Sequence, residues 1–155
     1  QQRPESVGTV LARSSDPHVA PEIMPNYLSS ETDRKVLVAG LRLARELMRT
    51  DAMAPFFAGE LYPGEDVQSD EELLNTARER GTTTFHMIGT CRMGPEHDKS
   101  AVVDHELHVR GIQGLRVADA SIMPTMPAAN TNAAALMIGE KAADLIRADL
   151  ADKTV

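Results

Sequence analysis

Tryptophan is absent and cysteine occurs once, as Cys91, in a chain of 155 residues. A lone thiol excludes an internal disulfide and the four-cysteine zinc modules. With no disulfide framework, a reducing compartment is the default and a cytoplasmic location is expected. Positive charge is scarce too: 16 Lys and Arg face 23 Asp and Glu, a net charge of -7. No basic stripe gathers anywhere, which argues against nucleic-acid binding, because phosphate contacts need clustered cations. No apolar run approaches the ~18–20 residues that span a bilayer, so no transmembrane segment is expected. Residues 1–15 also lack the basic start and apolar run of a secretory signal.

What remains has the make-up of a folded domain, with 42% hydrophobic and 25% charged residues. Residues 6–12 read as a short strand of branched side chains, stopped by Ser14-Ser15-Asp16-Pro17. Pro21 to Leu28 reads as a second, irregular strand, and its prolines confine it to a sheet edge. Ser30 is a good N-cap for a helix, and Asp33 three residues on can return the interaction. That helix carries a broad apolar face of Leu37, Leu41, Ala44 and Met48. Arg34, Arg42, Arg45 and Arg49 fall mostly on the other side, as a solvated surface. Ser69 or Asp70 caps a second helix that runs to about Arg80 and ends at Gly81.

Beyond Thr82-Thr83-Thr84-Phe85, an extended segment, the texture changes. Leu107–Ile112 and Leu115–Ala118 read as two strand-like runs around a Gln113-Gly114 turn. Residues 119–131 form an irregular loop. A closing helix spans about 132–149, with Ala135, Ile138, Ala142 and Leu145 on one face.

Two stretches carry the chemistry. His86 ends an extended run and enters a glycine-containing loop, a setting that presents an imidazole to a cleft. An ordinary half-buried histidine bonded to backbone fits the same pattern. Asn130-Thr131-Asn132 opens the last helix, where either asparagine can act as a cap. The same helix start offers free N–H groups to an anion, and Ala128, Ala129 and Ala133 let a planar ligand approach. His86, Cys91, His97, His105 and His108 do not match zinc-ligand intervals, so no metal is expected. Cys91 has no activating base in its motif.

Together these stretches resemble the C-terminal signature of the glucose–methanol–choline (GMC) oxidoreductases, choline dehydrogenase-like members included. The residues are His86-x-x-Gly89-Thr90-Cys91-Arg92-Met93-Gly94, Ala101-Val102-Val103-Asp104, Gly111 through Pro124, Pro127-Ala128-Ala129-Asn130-Thr131-Asn132 and Met137 through Ile146. Arg3-Pro4-x-Ser6-x-Gly8 and Pro25-Asn26-Tyr27-Leu28 extend the likeness over nearly the whole chain. Met87 departs from the pattern, since proline commonly follows that histidine.

The resemblance implies an α+β fold, the C-terminal part of a two-domain FAD enzyme. Residues 1–85 would belong to an antiparallel-sheet substrate domain with flanking helices. Residues 86–155 would form the active-site loop and return to the FAD-binding domain through a strand at about 115–119 and the closing helix. It implies a catalytic pair, His86 as base and Asn130 as hydrogen-bonding partner. Asp119 and Ala120 would lie along the ribityl and phosphate chain of FAD, with Thr131 and Asn132 at the flavin ring. The implied reaction oxidises a small-molecule alcohol to an aldehyde or ketone by hydride transfer to the flavin. The Gly-x-Gly-x-x-Gly turn that holds a dinucleotide pyrophosphate is missing, and Gly111-Ile112-Gln113-Gly114 has the wrong spacing. The chain is therefore expected to act only with an N-terminal FAD-binding portion, on another chain or removed from this one. Two other readings stay open: a hydroxynitrile lyase-like activity on the same fold, and a non-catalytic binding or structural fragment.

Overall fold

The computed structural model describes residues 3–152. The chain divides into two compact units, Arg3–Thr84 and the residues from Phe85 onward.

In the first unit, β1 (Thr9–Leu11) pairs antiparallel with β2 (Glu22–Met24), with Val10 opposite Ile23. Pro21 and Pro25 bracket β2 and limit it to three residues, because proline cannot donate to the ladder. Gly8 permits the close approach of the two segments. A Cβ there would lie 2.1 Å from the Met24 carbonyl oxygen.

Helix α1 (Glu31–Met48) starts after Ser30, but not through the expected cap. The Ser30 side chain makes no cap bond to the helix; its hydroxyl donates to the Glu5 carboxylate at 3.1 Å. Asp33 is fully buried, and its two oxygens accept the backbone N–H groups of Glu5 (2.9 Å) and Ser6 (2.8 Å). A carboxylate in the first helical turn is favoured by the helix dipole, and this one also anchors the incoming chain.

The arginines of α1 are likewise not a solvated face. Arg34 donates to the Leu28 and Ser29 carbonyls, and Arg42 to the Gln68 carbonyl and Asp70 carboxylate. Arg45 grips Glu60 and the Val67 and Gly64 carbonyls. The loop around residues 59–68 has little backbone pairing of its own, and the forked guanidinium supplies the donors its carbonyls need. Helix α2 (Asp70–Arg80) follows with a complete capping box between Ser69 and Glu72, and buries Leu73 against α1.

The second unit is mostly irregular. Its core gathers Val103, Leu107, Ile122, Met123, Ile138 and Ala142. Helix α3 (Asn132–Asp152) supplies Ile138 and Ala142 from the expected face. It runs past residue 149 because Leu150 and Ala151 are good helix formers with no breaker between them.

The expected strand at about 115–119 does not form; only single bridges connect His108 with Arg116 and Val103 with Val109. Leu107 (φ 71°), Gly111 (φ 78°) and Gly114 (φ 72°) all turn the backbone left-handed, and this bends the runs before a ladder can propagate. Residues 104–108 are likewise a turn rather than a strand. The Asp104 carboxylate accepts the N–H groups of Glu106 and His108, both at 2.9 Å.

Candidate active site

The segment from Phe85 to Gly94 is held by backbone bonds rather than by regular structure. Cys91 N–H donates to the Ser121 carbonyl (3.0 Å), and Met93 N–H donates to the Ile122 carbonyl (2.7 Å). These bonds dock the loop on the short 3₁₀ turn Ala120–Ile122. Gly94 is required where the loop turns back, because a Cβ there would come within 2.8 Å of the Ala101 Cβ. Arg92 donates to the Asp98 carboxylate at 2.6 Å and to the Ser100 hydroxyl, closing the far end of the loop.

His86 lies at the head of this segment, partly buried. Phe85 before it adopts φ 60°, a left-handed conformation unusual for an aromatic residue. The imidazole Nδ1 is 3.0 Å from the hydroxyl oxygen of Thr131, 45 residues away in sequence. Nε2 makes no hydrogen bond among the described residues. The histidine is thus not fixed to backbone, as an ordinary core histidine would be.

Thr131 stands immediately before α3, and its carbonyl accepts the first helical bond, from Ala135 N–H at 2.9 Å. It is buried, with 8% of its surface exposed, whereas Asn130 and Asn132 on either side are exposed. Neither asparagine occupies the capping position; the threonine does. Among the described residues, neither asparagine amide makes a hydrogen bond, and the first N–H groups of a 21-residue helix have no partner within the helix.

Asp119 is exposed, and its carboxylate accepts the Ser121 N–H at 2.7 Å, capping the 3₁₀ turn. Bonds from the Ser121 hydroxyl and N–H hold this carboxyl below its ordinary range. Ala120 is partly buried against the core. An ionised carboxylate only accepts hydrogen bonds, so Asp119 could accept from ligand hydroxyls such as those of a sugar alcohol and would repel phosphate oxygens. Of the expected residues, the structure brings together His86 and Thr131, and Asn130 and Asn132 are the sequence neighbours of Thr131. Among the described residues, no group of three His, Cys, Asp or Glu side chains could hold a metal ion. No helix among them is long and apolar enough to cross a membrane.

Residues 4–139 match the family described as GMC oxidoreductase. The chain belongs to that family. It is similar to human mitochondrial choline dehydrogenase, 46% identical over 145 residues, covering 94% of this chain and 24% of that protein. It is also similar to the alcohol dehydrogenase [acceptor] of Pseudomonas putida, 45% identical over 143 residues, covering 92% of this chain and 26% of the relative. Among solved structures, an FAD-dependent oxidoreductase from Chaetomium thermophilum superposes with a TM-score of 0.89 at 34% identity. That match covers 96% of this chain and 26% of the other. The chain spans about a quarter of the length of these relatives. It is a segment of a GMC oxidoreductase, and the cofactor of the family is FAD.

What sequence reasoning missed is the use of the Thr131 hydroxyl. Its position between two asparagines at a helix start suggested a ligand contact, whereas its side chain turns inward to the imidazole. The one available signal was that threonine, like asparagine, is an N-cap residue with a spare oxygen.

Proposed function

We propose that this segment supplies the proton-handling residues of an FAD-dependent enzyme that oxidises an alcohol to an aldehyde or ketone. The carrying observation is that His86, bonded at Nδ1 to Thr131 beside the start of α3, has no hydrogen-bond partner at Nε2 among the described residues. FAD, when bound, supplies the hydride acceptor. His86 takes the hydroxyl proton from the substrate, and an imidazole suits that role near neutral pH. Asn130 has no titratable proton to exchange; its amide donates a hydrogen bond to the alcohol oxygen and orients it. The start of α3, with Asn132, would hold a flavin through its N–H groups and would favour negative charge on it.

The similarity to a choline dehydrogenase and to an alcohol dehydrogenase supports an alcohol as the substrate class. The division of labour follows the same proposal. Residues 1–85 contribute to the substrate side, residues 86–155 return to the cofactor side, and the N-terminal portion of the complete enzyme holds the dinucleotide end.

The test is His86→Ala in the complete enzyme. We expect kcat/KM to fall by at least ~10²-fold while FAD stays bound. Flavin reduction by the alcohol at an unchanged rate would remove His86 from the chemistry.

A further inference from the structure

The contact between His86 and Thr131 carries one more step, which rests on the base role just proposed. The hydrogen bond at 3.0 Å can run in two senses. If the threonine hydroxyl donates to Nδ1, the neutral ring carries its proton on Nε2 and has no lone pair left for a substrate. If Nδ1–H donates to the threonine oxygen, the lone pair sits on Nε2, the nitrogen with no partner among the described residues. Only the second tautomer is a base on its open side.

We propose that Thr131 is a positioning residue: its hydroxyl oxygen accepts Nδ1–H, fixes the tautomer of His86 and sets the rotation of the ring. Three features make it suited to this. The side chain is buried, so water competes poorly for the bond. The backbone is clamped by the first helical hydrogen bond, from Ala135. The segment bearing His86 has no regular structure and starts from a left-handed Phe85, so the loop backbone alone does not fix the ring. A hydroxyl on a rigid helix start therefore orients an imidazole on an irregular loop, as carboxylates and carbonyls orient histidines elsewhere.

Thr131→Val keeps the shape and removes the acceptor, Thr131→Ala removes it with less bulk, and Thr131→Ser keeps it. In the complete enzyme, the valine and alanine variants should lose about tenfold or more in kcat, the usual scale for an orienting partner. KM should stay within about threefold, because the hydroxyl does not touch substrate. Serine should restore kcat to within about threefold of the parent.

Valine and alanine variants with parental kcat would overturn the proposal. So would a serine variant as impaired as alanine, which would assign the effect to packing. Should valine fail to retain FAD, the alanine–serine comparison decides. His86→Ala is run alongside. A crippled His86→Ala with a normal Thr131→Val removes only the threonine's role, whereas a normal His86→Ala removes the base reading itself.

Discussion

Arg45 and Glu60 meet as a bidentate pair, with Nη2 to Oε1 at 2.7 Å and Nε to Oε2 at 2.9 Å. Their side chains are only 12% and 11% exposed. The guanidinium bond holds the Glu60 carboxyl below its ordinary value of 4.5. A carboxyl that is easier to ionise in the folded state adds stability above its unfolded value, and that stability is lost as pH falls through the lower folded one.

Arg45→Met should destabilise the complete enzyme by about 2 kcal/mol, because it strands a mostly covered carboxylate. Glu60→Gln should be less stable than the parent at neutral pH, with the difference shrinking as pH drops below 4.5. Thermal melting across pH 3–7 checks both, and a constant difference across that window would separate the pair from the pH response.

Asp33 gives a second stability prediction. Its oxygens hold the N–H groups of Glu5 and Ser6 while the residue itself is 1% exposed. Asp33→Ala leaves two partly buried N–H donors unmatched and should cost about 1–3 kcal/mol, and Asp33→Asn, which keeps one acceptor, less. The loss should be local first, with limited proteolysis cutting ahead of β1. Cleavage kinetics identical to the parent would show that the segment is held by other contacts.

These two residues also mark where the sequence was legible. Helix periods, the Ser69 cap and the proline-bracketed strand were readable because each depends on residues within a few positions of one another. The roles of Asp33, Arg42 and Arg45 were not, since their partners lie 15 to 28 residues away. A helix-surface arginine looks the same in sequence whether it meets water or a loop carbonyl. The 115–119 run failed for another reason. A strand needs a neighbour, and left-handed residues at 107, 111 and 114 confine the pairing to one bridge, His108 with Arg116. His86 and Asn130 stood out through the motif around them, but the hydrogen bond that selects Thr131 is a tertiary fact.

Val103 joins the loop and the core of the second unit. It is fully buried and bridges both Met93 and Val109. Val103→Ala should cost about 2 kcal/mol through lost burial and the cavity left behind. Because Met93 sits on the loop headed by His86, the same variant should accelerate amide exchange over residues 91–94. A variant that is destabilised but has unchanged exchange there would uncouple the core from the loop that His86 heads.

Asn130 tests the division of roles most sharply, because its two substitutions differ in kind. On the proposed roles, Asn130→Ala would remove a hydrogen bond to the alcohol oxygen, and a bond of about 1–2 kcal/mol corresponds to roughly a 5- to 30-fold loss in kcat/KM. That is smaller than the loss expected from His86→Ala, since the proposal has the amide orient and the imidazole take the proton. Asn130→Asp keeps the size but replaces the donor with a carboxylate, which repels an oxygen gaining negative charge and should be worse than alanine. If aspartate proves better than alanine, the residue at 130 is accepting a proton or a hydrogen bond from the substrate, and the base role must be shared between the two positions.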